Sequence, residues 1–406
     1  GDFWSAGVGY LINKEPWFNA PWVDMLKIKA SIGSQGNDNI GSYRYTDTYY
    51  IQNADGEVSV VFNTKGNKKV TWETNTNFNA GADFEFFNNR LSGSVEYFYR
   101  KTSDMLYWVT VPSSQGYSGY YGNVGDMRNS GVEFAINATA IRSHNVNWDI
   151  YLNATNYSNK IIRLPEANKK KTVEGHSGYA TGNKFVGEGR SLNTFLMPKY
   201  AGVEPTTGLS MWYKDVTDEA TGKVTRETTT KYSEATDYLC SVPTPILYGG
   251  FGTSISFWNF DLSVDFTYSI GGKAYDSGYA SLMNVPGSSV GYNIHKDVLK
   301  GWTPENTNTD IPRFQANDQN VVSMSDRFLT NASYLNFQRA QFGYNLPKSL
   351  LSKVKINSVR FYVTADNICY WSVRKGFDPR YSFTGATSDA VCSPVRTVSG
   401  GVTITF

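Results

Sequence analysis

The chain contains no run of about 18 consecutive apolar residues, which excludes a membrane-spanning helix. Cysteine is scarce: Cys240, Cys369 and Cys392 are too few for a disulfide framework, and none stands in a C-x-x-C or Cys/His cluster that would hold zinc. Cys369 and Cys392 flank one expected loop, which leaves a pairing between them open in an oxidising exterior. Histidine is equally scarce. His144, His176 and His295 fall in expected turns and loops, away from any strand face that offers a Ser or Asp, so a Ser-His-Asp hydrolase is not expected and no catalytic residue is assigned. Charge is low at 18%, nets to +2, and is dispersed apart from Asn168-Lys169-Lys170-Lys171, which reads as a solvated loop tip. No phosphate-tracking face exists, so no nucleic-acid partner is expected. Gly1-Asp2-Phe3-Trp4 lacks the basic segment and apolar core of a signal peptide, and the expectation is a fragment of a longer exported chain.

What is abundant is aromatic and small: 15% of the 406 residues are aromatic, with 28 tyrosines, and 37 are glycine. Mean hydropathy is −0.40, which on its own suggests a soluble protein. A transmembrane β-barrel escapes that test, because only every second strand residue faces lipid.

The pattern decides. Phe260, Leu262, Val264, Phe266, Tyr268 and Ile270 alternate without a break against Asn259, Asp261, Ser263, Asp265, Thr267 and Ser269. Leu91, Gly93, Val95, Tyr97 and Tyr99 alternate likewise with Ser92, Ser94, Glu96 and Arg100, interrupted only by an inward Phe98. The same design recurs at Val132 to Thr139, Trp148 to Thr155 and Val359 to Asp366. Soluble β-sandwiches also alternate, but two features tell against a chain of them. The strands run to about ten to sixteen residues, long enough to cross a bilayer at a tilt. Connections also alternate in length. Short turns at Asn88-Asn89-Arg90, Ser143-His144-Asn145, Pro205-Thr206-Thr207-Gly208, Trp258-Asn259 and around Pro347 to Ser352 interleave with long loops at roughly 37–68, 107–126, 162–190, 216–245, 273–330 and 371–394. Short periplasmic turns and long outer loops are the barrel arrangement.

The expected fold is therefore all-β: one domain, residues 1–406, forming part of a transmembrane antiparallel barrel with about thirteen strands. The strands near Phe3 to Ile12 and Leu209 to Lys214 are the least well marked. An odd count does not close a single-chain bacterial barrel, and a 22-stranded plugged transporter would place the remaining strands and the plug before Gly1. The last strand sets Val398, Gly400, Val402, Ile404 and Phe406 outward, and the terminal Phe406 looks like an outer-membrane barrel-assembly signal.

The stretch from Asn88-Asn89-Arg90-Leu91 through Tyr97-Phe98-Tyr99-Arg100-Lys101-Thr102-Ser103-Asp104-Met105-Leu106, followed by Val111-Pro112-Ser113-Ser114, Asn123-Val124-Gly125 and Asn129-Ser130-Gly131-Val132-Glu133-Phe134, resembles the SusC/RagA family of TonB-linked outer-membrane proteins of Bacteroidetes. Further blocks in the same order are Leu26 to Gly33 with Gly36-Asn37, Gly301-Trp302-Thr303-Pro304-Glu305-Asn306 with Asp310-Ile311-Pro312-Arg313, and Lys375-Gly376-Phe377-Asp378-Pro379. The resemblance implies the barrel wall of an importer in the bacterial outer membrane, energised by TonB through an N-terminal part not present here. It implies a SusD-like surface lipoprotein as lid, contact with lipid and lipopolysaccharide, and an oligosaccharide or peptide as ligand. A passive porin or structural barrel, and a siderophore or cobalamin receptor, are the alternatives.

Import needs no covalent chemistry but does need aromatic and polar groups facing a concave lumen. Tyr117, Tyr120 and Tyr121, among flexible glycines on an outer loop, are candidate ligand contacts, as are Trp371, Arg374 and Asp378 above the penultimate strand. Tyr99, Tyr107, Trp108 and Tyr268 suit interfacial aromatic girdles. Asp261 and Asp265, two apart on one face, read as polar lining rather than as a glycosidase pair. Asn37-Asp38-Asn39 and Thr303 to Asp310 carry oxygen donors of the kind calcium takes, without EF-hand spacing; no other cofactor is expected.

Overall fold

In the computed structural model, residues 2–54, 56–284, 293–351, 356–381, 383–385 and 393–406 are described. Eleven long strands form one antiparallel sheet in which neighbours along the chain are neighbours in space. We number them β1 Trp4–Leu11, β2 Val23–Asn37, β3 Glu73–Phe86, β4 Leu91–Ser103, β5 Asp126–Arg142, β6 Val146–Arg163, β7 Leu247–Phe257, β8 Phe260–Ile270, β9 Tyr334–Asn345, β10 Ser358–Trp371 and β11 Thr397–Thr405. β1 and β11 are the two edges of this sheet.

Period-two alternation becomes two faces of opposite chemistry. On one, Phe251 of β7, Phe266 of β8 and Phe337 of β9 stack in a ladder with centroid separations of 5.0 and 4.7 Å. Val8, Ile28, Val95, Val132, Val363, Val398 and Ile404 are also exposed on the sheet, far more apolar surface than a water-facing sheet tolerates. Near the short turns this face ends in aromatic clusters, Trp22 with Phe86 and Phe87, and Phe260 with Phe257 and Tyr344, as a membrane-interface girdle does.

The opposite face is polar and internally paired. Lys29 bridges Asp83 at 2.9 Å and Glu96 at 3.2 Å. Arg339 Nε donates to Asp366 at 2.7 Å, Arg360 Nε donates to Asp261 at 3.2 Å, and the Tyr151 hydroxyl donates to Asp265 at 2.7 Å. Asp261 and Asp265 thus answer to different partners, as lining groups do. The excess of glycine and of aromatics meet here: a Cβ on Gly131 would lie 2.7 Å from the Phe98 ring, one on Gly252 2.6 Å from Tyr151 and one on Gly401 2.5 Å from Tyr362. Each inward ring lies against the glycine paired with it on the neighbouring strand, which lets a large side chain occupy a narrow wall position.

Short connections join β1–β2, β3–β4, β5–β6, β7–β8 and β9–β10 at one end, and segments 38–72, 104–125, 164–246, 271–333 and 372–396 leave the other. The expectation of about thirteen wall strands and six outer loops is corrected to eleven and five. The strand Ser210–Thr217 pairs with Tyr200–Val203 and Val224–Thr229 in a separate three-stranded sheet, so the two loops assigned to 162–190 and 216–245 are one excursion. The turn Pro205 to Gly208 is not at the short-turn end. It docks on the Trp302 block: Trp302 Nε1 donates to Pro205 O at 3.0 Å, Arg313 Nη1 donates to Thr207 O at 2.9 Å, and Gly208, at φ +74°, leaves the space that the Trp302 ring fills. The alternation there is real, but it buries Trp212 to 1% exposure inside the loops instead of presenting it to lipid.

The hydrophobic core therefore lies in the outer loops, not between sheet layers. A five-stranded sheet within 164–246 packs Val173, Phe185, Leu196 and Leu239 together. A second cluster joins Ala280, Met283, Val298 and Phe328 in segment 271–333. A third, Ile161, Leu164 and Val186, seats this cap on the end of β6. Among the described residues no helix is long and apolar enough to cross a membrane.

Candidate functional site

Where the polar face meets the cap, β5, β6 and β7 hold a cavity of about 340 Å³. Asn129 of β5 and Tyr157 and Asn159 of β6 form its back. They are fixed by one another: the Tyr157 hydroxyl and Asn159 Nδ2 both donate to Asn129 Oδ1, at 2.8 and 2.7 Å. Asn159 Oδ1 in turn accepts from the backbone N–H of Leu192 at 2.9 Å, which brings Ser191 to Asn193 of the cap over the opening. Tyr248 of β7 and Phe383 of segment 372–396 meet edge to face, with centroids 5.5 Å apart, and make an aromatic corner.

Phe383 is held by its neighbours. The Lys184 ammonium donates to Thr384 O at 2.7 Å, and the Tyr275 backbone N–H donates to Gly385 O at 2.9 Å. Lys184 also sits 3.2 Å from the centroid of the Phe195 ring. Burial pulls its pKa down from 10.5 to about 8.

Beside Phe383, Arg380 lines an adjoining cleft. Its guanidinium pairs with both oxygens of Asp378, at 2.8 and 2.6 Å, donates to Asn336 Oδ1 at 2.8 Å and lies 4.3 Å from the centre of the Tyr370 ring. Burial raises the Asp378 pKa, but Arg380 and the Ser393 hydroxyl outweigh it and hold the carboxyl below its usual range. Arg374 pairs with the buried Asp276, whose side chain caps the helix Ser277–Leu282, and lies over the Tyr279 ring.

Arg374, expected as a ligand contact, pairs with Asp276 and so joins two outer segments, while Asp378, expected likewise, pairs with Arg380 within its own segment. Trp371 ends β10 and is 53% exposed. Tyr117, Tyr120 and Tyr121 lie in or beside the hairpin Leu106–Thr110/Gly119–Asn123. Tyr121 packs edge-on against Trp108 at 5.2 Å, lies under Arg44, and its carbonyl accepts from Asn67, so the hairpin clasps segment 38–72. Tyr117 approaches Phe62 of that segment and donates to Gln115 at 3.1 Å. Tyr107, expected in an interfacial girdle, shares a hydroxyl hydrogen bond with Tyr179 in the cap, and Trp108 belongs to the hairpin rather than to the wall. Phe406 follows the last residue of β11 and is exposed. Cys392, and with it the pairing expected with Cys369, lies outside the described residues; burial pushes the Cys240 thiol up to about 12, which leaves it inert as a nucleophile. Among the described residues no three His, Cys, Asp or Glu side chains converge as a metal would require.

The cavity residues were not singled out from the sequence. Asn129 and Asn159 are thirty residues apart and Phe383 is far from both, so only strand register and the path of the last loop bring them together. The available signal was the parity of Asn129, Tyr157, Asn159 and Tyr248, all on the polar face.

An open antiparallel meander of long strands, apolar on one face and polar on the other, ringed by aromatics and capped at one end only, is a segment of a transmembrane β-barrel wall. The chain belongs to the TonB dependent receptor-like, beta-barrel family, whose model matches residues 1–368. This is a receptor barrel family and not an enzyme family. TonB-dependent receptor P3 of Formosa agariphila is 28% identical over 402 residues, covering 94% of this chain and 38% of that protein. TonB-dependent receptor SusC of Bacteroides thetaiotaomicron is 27% identical over 396 residues, covering 93% of this chain and 38% of that protein. The solved structure of the RagAB peptide transporter matches all of this chain and 43% of its own, with a TM-score of 0.82 at 28% identity. The RagAB peptide importer in its closed-closed state gives 0.83. The chain therefore spans about two fifths of the length of these relatives.

Proposed function

We propose that this chain is part of the wall and outer cap of an outer-membrane transporter that imports a nutrient oligosaccharide or peptide, driven by TonB. The observation that carries the reading is the capped cavity on the polar face, where rings and side-chain amides converge above a hydrated wall. Family membership supports the energised mode of import. β1 and β11 would be paired by further strands of the same transporter, because an edge with free backbone groups does not persist in lipid. The apolar face would contact lipid and lipopolysaccharide. The cap would meet a SusD-like surface lipoprotein, with Trp371, Tyr117 and Tyr120 at that mouth as contacts for ligand or lid.

The test is uptake of labelled oligosaccharide and peptide pools by cells that carry the intact gene, its deletion, or the intact gene without TonB. Accumulation that requires both gene and TonB is expected. Uptake that persists without TonB would make the protein a passive pore and end the proposal. Co-purification of a lipoprotein with the tagged transporter checks the partner.

A further inference from the structure

The tip of the last outer segment, residues 383–385, is seated between two other segments. Gly385 is buried at φ +72°, and a Cβ there would lie 2.6 Å from Pro243 Cβ and 2.7 Å from the Phe195 ring. Its carbonyl accepts from the Tyr275 N–H at 2.9 Å, and the Thr384 carbonyl accepts from the Lys184 ammonium at 2.7 Å. Through Phe383, which meets Tyr248, the same tip supplies one wall of the cavity.

This seat encloses a cation without an anion. Lys184 Nζ is met by two neutral carbonyls, those of Thr384 and of Asn193 at 3.4 Å, and by the face of the Phe195 ring. Among the described residues no carboxylate on the surrounding elements reaches it: Glu188 pairs with Lys169, Asp237 with Lys171 and Asp378 with Arg380. On the strand paired with that of Lys184, His176 bonds to the Glu188 carbonyl and Tyr179 to Tyr107. Arg190 and Lys273 are cations too and offer no counter-charge. Tyr275 and Cys240, both raised by burial, stay neutral near pH 8. Burial alone therefore moves Lys184, and no neighbouring charge offsets it.

We propose that residues 383–385 are a proton-linked latch over the cavity: seating the tip releases a proton from Lys184, and protonation favours the lifted tip. Seating strips water from the ammonium and returns only carbonyl dipoles and a ring face. A neutral amine donates to the Thr384 carbonyl without that cost. Because the Lys184 pKa is lowered in the seated state, to about 8 against 10.5 in water, the lifted state binds more protons between those values. Seating therefore strengthens as pH rises through that window, and the full penalty is present below about pH 8. Lifting takes Phe383 off Tyr248 and uncovers that side of the cavity. The latch is a property of the outer segments and holds whether or not the chain imports.

The experiment is hydrogen exchange of the intact transporter in detergent, resolved to single amides by mass spectrometry and corrected for the intrinsic pH dependence of exchange. The Tyr275 N–H reads the latch, because its acceptor is the tip itself. The Phe195 N–H, which donates to the Ser241 carbonyl at 2.8 Å inside the cap, reads opening of the cap as a whole. Tyr275 should be less protected than Phe195, and its protection should rise about 10- to 25-fold from about pH 7 to about pH 9.5. In Lys184→Met, with folding verified by heat-modifiability on gels, protection should be flat across that range and above that of the unmodified protein at neutral pH. In Lys184→Arg, which stays charged throughout, it should be flat and low. A rise of less than about threefold in the unmodified protein, an equal rise in either variant, or equal protection of Tyr275 and Phe195 would overturn the latch. If Lys184→Met does not fold, Lys184→Arg decides by the same criteria.

Discussion

Arginine placed at Val264 and at its chain neighbour Ser263 separates a membrane wall from every soluble alternative. Val264 is central in β8, opposite Thr253 of β7 and Ala340 of β9 on the apolar face. At the middle of a bilayer, an outward arginine on a barrel costs about 2–4 kcal/mol, roughly 30- to 1,000-fold in the folding equilibrium. Ser263 pairs with Ser254 and Gln341 on the polar face, and Asp261 and Asp265 flank it on the same side of the strand. An arginine there stays in water between two carboxylates, so its cost is near zero. The assay is denaturant titration of the intact transporter in lipid vesicles, read by gel mobility of the folded form, for Val264→Arg and Ser263→Arg. Equal destabilisation by the two, or a larger loss at Ser263, would refute the assignment of faces and with it the membrane wall.

Four further outcomes follow from particular contacts. Gly131→Ala should block barrel assembly, because its Cβ would lie 2.0 Å from Asn156 O, whereas Gly400→Ala, with only Tyr362 O at 3.8 Å, should assemble normally; the folded band on a semi-native gel checks both. Trp212→Ala should cost the cap about 3–5 kcal/mol and open it to limited proteolysis while the wall keeps its heat-modifiability. Lys184 loses its proton at about pH 8 in the folded cap and near 10.5 when unfolded, so the unfolded cap binds more protons between those values. Cap stability, followed by proteolysis against pH, should then rise across that window relative to Lys184→Met, with the full cost of burying the charge present below about pH 8. Arg380→Ala should leave Asp378 and Asn336 without their partner and loosen segment 372–396, read as faster cleavage in that segment with an unchanged wall.

The wall was legible because its strands are two-sided objects. Phe260 to Ile270 states both faces and the length of β8 before any partner is known, and Val398 to Ile404 does the same for β11. The cap was not legible. Ser210 to Thr217 alternates as convincingly as a wall strand, yet Trp212 is buried against Tyr200 and Tyr232 at centroid distances of 6.5 and 5.2 Å. Local alternation says which residues share a face; it does not say whether that face meets lipid or other loops. The family blocks, by contrast, were visible in order, and the Trp302 block has a physical role in receiving the Pro205 turn.

The candidate site divides along the same line. Tyr121, Arg374 and Asp378 were chosen because rings and charges stand on outer loops; in the structure Tyr121 and Arg374 join one loop to another, and Asp378 pairs with Arg380 within its own. The cavity depends instead on Asn129, Tyr157, Asn159, Tyr248 and Phe383, which are distant in the chain.

Sequence by itself determined the strands, their apolar and polar faces, and the end of the sheet that carries long loops, because a period of two residues is a local property of an extended backbone. Only the tertiary structure decided which loops merge into one cap, where the hydrophobic core lies, and which rings and amides enclose a cavity. Those depend on register between strands and on packing between segments, and contacts of that range leave no periodic trace in the chain.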